Sequence, residues 1–253
     1  MGIAIITGAS SGMGRQFALQ IARKYAPDEL WLIARREDRL NSLAGELGVK
    51  SRVIPLDLSK RESIDVVKDM LADEAPKVDI LVNASGFGKY GGSMDLTEDE
   101  IDSMINVNDK AVVFMSNAVL PYMDRGSRII TMGSGSSFQP LPFFCMYAST
   151  KAFILSYCRA LNYELKEKGI TVTCVCPGYV NTEFFAVAKD TANPDACNNF
   201  TPLYEPEDVV RKALKDSEKG RDLSVLGLNT KLRRLAGKLL PAKMVMDGWM
   251  KMK

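Results

Sequence analysis

Short apolar runs rich in Ile and Val alternate along the chain with longer stretches of mixed polarity. The runs are Ile3–Thr7, Leu30–Ala34, Arg52–Pro55, Val78–Val82, Arg128–Met132, Thr171–Cys176 and Leu223–Leu226. Most lack polar alternation, which predicts strands buried on both faces. Between them apolar residues recur at helical spacing, as with Phe17, Leu19, Ile21 and Ala22 after the first run. Strand alternating with helix implies parallel strands joined by right-handed crossovers, hence an α/β, three-layer, doubly wound sheet. No repeat, low-complexity segment or Pro/Gly linker divides the chain, so a single domain is expected.

Composition adds one strong exclusion. The 253 residues contain no histidine, so Ser-His-Asp, Cys-His and HExxH chemistries are all absent. Any acid–base step must fall to Tyr, Lys, Asp, Glu or Cys. The net charge of +2 points away from nucleic acid, but it is unevenly spread. Residues 229–253 carry Lys231, Arg233, Arg234, Lys238, Lys243, Lys251 and Lys253 against Asp247 alone, a local +6. The five cysteines contain no C-x-x-C, and the start of the chain lacks the basic segment of a secretory signal. Free thiols in a reducing cytosol, hence a soluble cytoplasmic chain, are the expectation. The 22 uncharged residues between Arg128 and Lys151 are broken by glycines and prolines and do not read as a membrane span.

Directly after the first strand comes Thr7-Gly8-Ala9-Ser10-Ser11-Gly12-Met13-Gly14-Arg15, leading into a helical pattern. Glycines at such a junction let the backbone turn tightly and present N–H groups to a pyrophosphate at a helix N-terminus. The second strand ends in Ala34-Arg35-Arg36 rather than in an acid. A carboxylate there would repel a 2′-phosphate, whereas guanidinium groups of Arg35 and Arg36, with Arg15 nearby, would pair with it. NADP(H) is therefore the expected dinucleotide.

The turn Thr7-Gly8-x-x-x-Gly12-x-Gly14 resembles the cofactor signature of the short-chain dehydrogenase/reductase family. Asn83-Ala84-Ser85-Gly86, Ser134 with Tyr147-x-x-x-Lys151, and Pro177-Gly178 follow in the family's order. The likeness spans Ile3 to Leu226 and is loosely closest to steroid and 3-ketoacyl ketone reductases. It implies a Rossmann-like, seven-stranded parallel sheet flanked by helices, in a homodimer or homotetramer. It also implies that Gly8, Ser10, Ser11, Gly12, Met13 and Gly14 hold the pyrophosphate, and that Asp57 and Leu58 meet the adenine. Asn83 and Gly86 would form the turn beside the nicotinamide ribose. Pro177, Gly178, Val180 and Thr182 would lie along the nicotinamide, with Thr182 on its carboxamide. The Asn83 segment departs from the commoner Asn-Asn-Ala-Gly, and Gly133 stands where the family often has serine before Ser134.

Tyr147 and Lys151 are four apart within a helix predicted over Phe144–Lys168, so they share one face. Lowering a phenol by about three units requires roughly 4 kcal/mol. One ammonium about 4 Å away supplies on the order of 4 kcal/mol at an effective dielectric of ~20. By resemblance Ser134 binds the substrate carbonyl, Tyr147 transfers the proton and Lys151 holds the ribose and tunes Tyr147. Ser136 and Ser137 are alternatives to Ser134. Asn108 matches the family asparagine of the proton relay; Asn106 is its rival, and the spacing to Leu120-Pro121 favours Asn108. Thr97-x-x-Glu100 reads as a capping box, so Glu98, Asp99 and Glu100 begin a helix. No metal site is expected.

The expected division is a catalytic segment 1–228, with a substrate lid over about 184–204, and a basic amphipathic extension 229–253. Phe184, Phe185, Ala186, Val187, Ala188, Phe200 and Leu203 make the lid apolar, and Phe138, Leu141, Phe143 and Phe144 add to it. A bulky apolar ketone or alcohol of steroid, bile-acid or fatty-acyl type is the expected substrate, although such aromatics also serve as plain core. An epimerase or dehydratase on the same scaffold, or a silent NADPH-binding regulator, would carry nearly the same motifs. The extension has three readings: contact with an anionic membrane, closure over the substrate entrance with its methionines, or packing on a partner subunit. A plain packing helix is the commonest fate of such a pattern, so membrane contact is the exception.

Overall fold

The computed structural model describes residues 2–252; Met1 and Lys253, the outer ends of the two expected segments, lie outside the described residues. The strands are β1 (Ile3–Thr7), β2 (Leu30–Ala34), β3 (Ser51–Pro55), β4 (Val78–Asn83), β5 (Arg128–Met132), β6 (Thr171–Val175), β7 (Tyr179–Val180), β8 (Leu203–Tyr204) and β9 (Leu223–Ser224). The helices are α1 (Gly12–Tyr25), α2 (Glu37–Glu46), α3 (Arg61–Glu74), α4 (Glu98–Ile105), α5 (Ala111–Val119), α6 (Cys145–Glu164), α7 (Phe184–Lys189), α8 (Pro206–Glu218), α9 (Leu228–Leu239) and α10 (Ala242–Met252). Among the described residues the main sheet has seven strands in the order β3-β2-β1-β4-β5-β6-β9, all parallel. The chain winds outward from β1 to β3, then reverses through β4, which opens a crevice at the carboxyl ends of β1 and β4.

Each strand feeds two cores because its side chains alternate faces. Ile3 and Ile5 of β1 join Trp31 and Ile33 beneath α3, α5 and α6, where Val67, Met115 and Ile154 are buried. Ala4 and Ile6 join Leu30 and Leu32 on the other face, against Phe17 and Ile21 of α1, Leu40 of α2 and Val210 of α8. Each such side chain withdrawn from water contributes roughly 1.5–3 kcal/mol, an upper figure given a compact unfolded chain.

Several boundaries differ from the sequence expectation. α6 stops at Glu164 rather than Lys168, since Leu165 leaves helical geometry and the chain turns at Gly169 with φ +71°. β6 and β9 pair over only two residues each, because the chain turns at Gly227 (φ +82°) into α9. The predicted lid contains α7, a 3₁₀ turn Pro194–Ala196, and β8, which pairs with β7 in a small parallel ribbon. Thr97 forms the expected capping box: its Oγ1 accepts from Glu100 N at 3.2 Å while Glu100 Oε2 accepts from Thr97 N at 3.0 Å. One device has no sequence signature. Asn106–Lys110 forms a π-helical turn between α4 and α5, a local widening of the kind that gathers at functional sites.

Candidate active site

The crevice encloses about 640 Å³ and runs from the β1–α1 turn to α10. At one end the backbone sets the shape. Gly8 has φ +67°, and a Cβ there would lie 2.7 Å from Ala84 O. A Cβ on Gly14 would lie 2.2 Å from Gly8 O, so α1 closes directly onto the turn. Thr7 Oγ1 accepts from Ala84 N (3.0 Å) and Ser85 N (3.2 Å), locking β1 to the end of β4. Ser11 is the N-cap of α1, yet its side chain makes no capping bond. Its hydroxyl instead accepts from Arg36 Nη2 at 2.7 Å, as does Ser10 at 3.2 Å. The first amides of α1 thus have no side-chain competitor, and the glycine cradle, helix terminus and adjacent guanidinium fit a dinucleotide pyrophosphate bearing a further phosphate.

The structure brings Gly8, Ser10, Ser11, Gly12, Met13, Gly14, Arg35 and Arg36 to this end of the crevice, with Asp57 and Leu58 beside them. Arg36 also pairs with Glu183 at 3.0 Å, and Arg39 pairs with the same carboxylate at 2.5 Å. These two guanidinium groups, Arg39 first, hold Glu183 below the usual glutamate range. Arg15 is elsewhere, paired to Glu46 at 2.6 Å. Asn83 also departs from expectation: its buried Nδ2 donates to Ser116 (3.2 Å) and Thr131 (3.4 Å), tying β4 to α5 and β5. The sequence reading put Asn83 in the ribose turn; its side chain is turned into the sheet, and Ala84, Ser85 and Gly86 line the crevice instead.

At the middle of the crevice the side chains of Asn108 and Lys151 meet at Gly86. A Cβ on Gly86 would approach Asn108 Oδ1 to 2.9 Å and Lys151 Nζ to 3.4 Å. Asn108 is fully buried, its Oδ1 accepting from Phe87 N at 3.0 Å and its Nδ2 donating to Phe87 O (2.8 Å) and Thr150 (3.1 Å). Asn106 lies on the surface, bonded to Asp102 and Lys110. Ser134 caps the 3₁₀ turn Gly135–Phe138, its Oγ accepting from Ser136 N at 3.1 Å. Ser137 is occupied structurally, accepting from Ser134 N at 3.2 Å. Gly133 replaces serine for a visible reason: a Cβ there would lie 2.7 Å from Cys174 Sγ and 2.8 Å from Cys176 Sγ.

Tyr147 is buried, with its ring stacked on Phe144 (centroids 4.5 Å apart) and tilted against Phe184 (5.2 Å). Burial pushes its phenol up to about 12, with the Ser134 side chain acting the other way. Burial also lowers the Lys151 ammonium, which the nearby Asp109 carboxylate opposes. The sequence reading had Lys151 depressing Tyr147 from about 4 Å. In the structure Lys151 Nζ donates to Met132 O at 2.9 Å, and burial is the largest influence on Tyr147, so the phenol keeps its proton.

Asp109 was missed. The π turn carries it inward beside Asn108, its Oδ1 is buried without a hydrogen-bond partner, and burial raises its carboxyl to about 7. An acid between Asn108 and the apolar Ala111-Val112 was the available signal.

The far end is built from rings. Tyr90 lies 4.3 Å from Phe144, and Phe200 lies tilted against Phe185 at 4.5 Å. Tyr90 N donates to Ala188 O at 2.9 Å, so the lid is tied to the segment after β4. Trp249 of α10 is buried in the same cluster, its Nε1 donating to Pro142 O at 2.8 Å. Pro177, Gly178, Val180 and Thr182 line the wall between the two ends. Of the predicted apolar set, Leu141, Phe144, Phe184, Phe185 and Val187 line the crevice, while Phe200 packs behind them and Phe138 packs on the main core. No cysteine forms a disulfide among the described residues. No helix among them is long and apolar enough to cross a membrane.

Comparison with known proteins agrees with this geometry. The short chain dehydrogenase family model matches residues 2–193. A very-long-chain 3-oxoacyl-CoA reductase of Anas platyrhynchos is 32% identical over 222 residues, covering 83% of this chain and 67% of its own length. A short-chain dehydrogenase from Sphingobium yanoikuyae, solved in complex with NADPH, superposes with a TM-score of 0.80 at 28% identity, covering 94% of this chain and 93% of its own. A bulky-bulky ketone specific alcohol dehydrogenase from Comamonas testosteroni gives a TM-score of 0.76 at 25% identity, covering 99% and 94%.

Proposed function

Since the chain belongs to the short-chain dehydrogenase family, we propose that it is an NADP(H)-dependent oxidoreductase interconverting a bulky apolar ketone and its secondary alcohol. The observation that carries this reading is a buried, protonated phenol at the junction of two unlike half-sites: a glycine cradle with a guanidinium, and a wall of aromatic rings. When bound, NADP(H) supplies or accepts the hydride. The β1–α1 turn and α1 amides would hold its pyrophosphate, Arg35 and Arg36 its 2′-phosphate, and Asp57 and Leu58 its adenine. Lys151 would hold the ribose, and Gly86, Pro177, Gly178, Val180 and Thr182 would flank the nicotinamide.

The chain's own part is positioning and proton transfer. Ser134 Oγ donates to the substrate carbonyl oxygen, and Tyr147 protonates that oxygen as negative charge develops on it. A phenol near 12 stays protonated at neutral pH, which suits reduction. The reverse direction requires Lys151 to exchange the Met132 carbonyl for a position nearer the phenol, since attraction of its ammonium then lowers the cost of ionising Tyr147. Asn108 holds the backbone at Phe87 and thereby the floor on which Lys151 rests. The names of two relatives, a reductase of very-long-chain 3-oxoacyl-CoA and a bulky-bulky ketone dehydrogenase, support a large apolar substrate.

A panel of ketones and alcohols, followed at the NADPH absorbance band with NADH in parallel, tests the reading. Turnover is expected with aryl and long-chain ketones, and NADH should be slower by about tenfold or more. NADPH binding without turnover of any ketone or alcohol, or a preference for NADH, would overturn it.

A further inference from the structure

α9 presents two opposed faces. Thr230, Arg233 and Gly237 point into the protein: Thr230 is buried, Arg233 lies over the Tyr179 ring at 5.3 Å, and a Cβ on Gly237 would lie 2.4 Å from Phe138 O. Thr230 and Arg233 also line the crevice. On the opposite face Leu228, Leu232, Leu235 and Leu239 follow the i, i+4, i+7, i+11 spacing of one stripe. They are 70%, 53%, 51% and 67% exposed, and Leu240 and Met244 prolong the apolar surface. Such a stripe normally faces a core, and here it faces solvent.

Charge decides what could cover it. Lys231, Arg234 and Lys238 run along one flank of the stripe, all exposed, and α9 contains no acid. Two copies packed antiparallel through this stripe would set Lys231 of one copy against Lys238 of the other. Packed parallel, they would still offer those cations no carboxylate from α9. A bilayer bearing anionic headgroups meets both features, since leucines enter the acyl boundary while lysine and arginine stems reach back to phosphate.

We propose that α9 docks the protein on an anionic lipid surface, with the leucine stripe immersed. The inference is independent of the redox reading, because vesicle binding is measured without turnover. The test is co-sedimentation of the full chain with phosphatidylcholine vesicles and with vesicles that also contain phosphatidylglycerol. Binding to the anionic vesicles is expected, with little to the neutral ones and less at high salt. Leu232→Glu combined with Leu235→Glu should lower that partition by about tenfold or more, with melting temperature and NADPH affinity unchanged because both side chains are exposed. Lys231→Glu with Lys238→Glu should weaken the anionic preference. Equal binding to both vesicles, binding insensitive to the leucine pair, or no vesicle binding with a dimer that the leucine pair dissociates would each overturn the proposal. The last result would assign the stripe to an interface between copies.

Discussion

The two ends of the crevice are specified by different physics. At the β1–α1 turn the determinants are backbone sterics, where a single Cβ on Gly14 would sit 2.2 Å from a carbonyl oxygen. At the aromatic end they are side chains from distant segments, Tyr90, Phe144, Phe184 and Trp249, which meet only in the folded chain. A site made of forbidden volumes tolerates no substitution and leaves a short local signature. One made of pooled rings tolerates repacking and leaves almost none. The first kind suits a ligand of fixed shape, the second a substrate pocket that can diverge.

Gly14→Ala should break the comparison at its stiff end. Overpacking of roughly 1–3 kcal/mol falls on the turn itself, so NADPH affinity should drop about ten- to hundredfold in a calorimetric titration. Trp249→Ala probes the adaptable end. It removes the indole bonded to Pro142, so KM for a bulky ketone should rise roughly tenfold while KM for a small ketone and the Kd for NADPH stay put.

Asp109→Asn separates the π turn from both ends. A carboxyl raised to about 7 favours the folded state at low pH, and that contribution fades as pH climbs from the unfolded value through 7. Lys151, the cation acting on it, limits the loss. The variant should therefore gain stability over the native chain as pH rises from about 4 through 7, levelling off above neutrality at about 4 kcal/mol at most, with little gain in acid; urea midpoints across pH would show it. The smallest effect belongs to Glu183→Gln. It frees Arg36 from an exposed ion pair, so NADPH should bind tighter by no more than about threefold, as fluorescence titration would show.

The same division explains how much could be read from the sequence. β1, β2 and β5 begin and end where their apolar runs do, because strands buried on both faces are dominated by apolar side chains. The glycine turn and the Tyr147/Lys151 spacing were visible because each is local. The π turn and the inward rotation of Asn83 were not, since each depends on contacts with α5, β5 or α6 that no nearby residue encodes, and Asp109 was legible only as an acid beside an apolar run. Trp249 belongs to the same group: its partner Pro142 is 107 residues away. The bond from Lys151 to Met132 O also escaped spacing arguments, because sharing a helix face does not say which carbonyl an ammonium will choose.

The most direct test of the account measures Tyr147→Phe twice, once for turnover of a ketone found in the substrate panel and once for NADPH binding. If the phenol is the proton donor, kcat falls by about a hundred- to ten-thousandfold while the dissociation constant stays within about twofold. Turnover near that of the native chain would contradict the account.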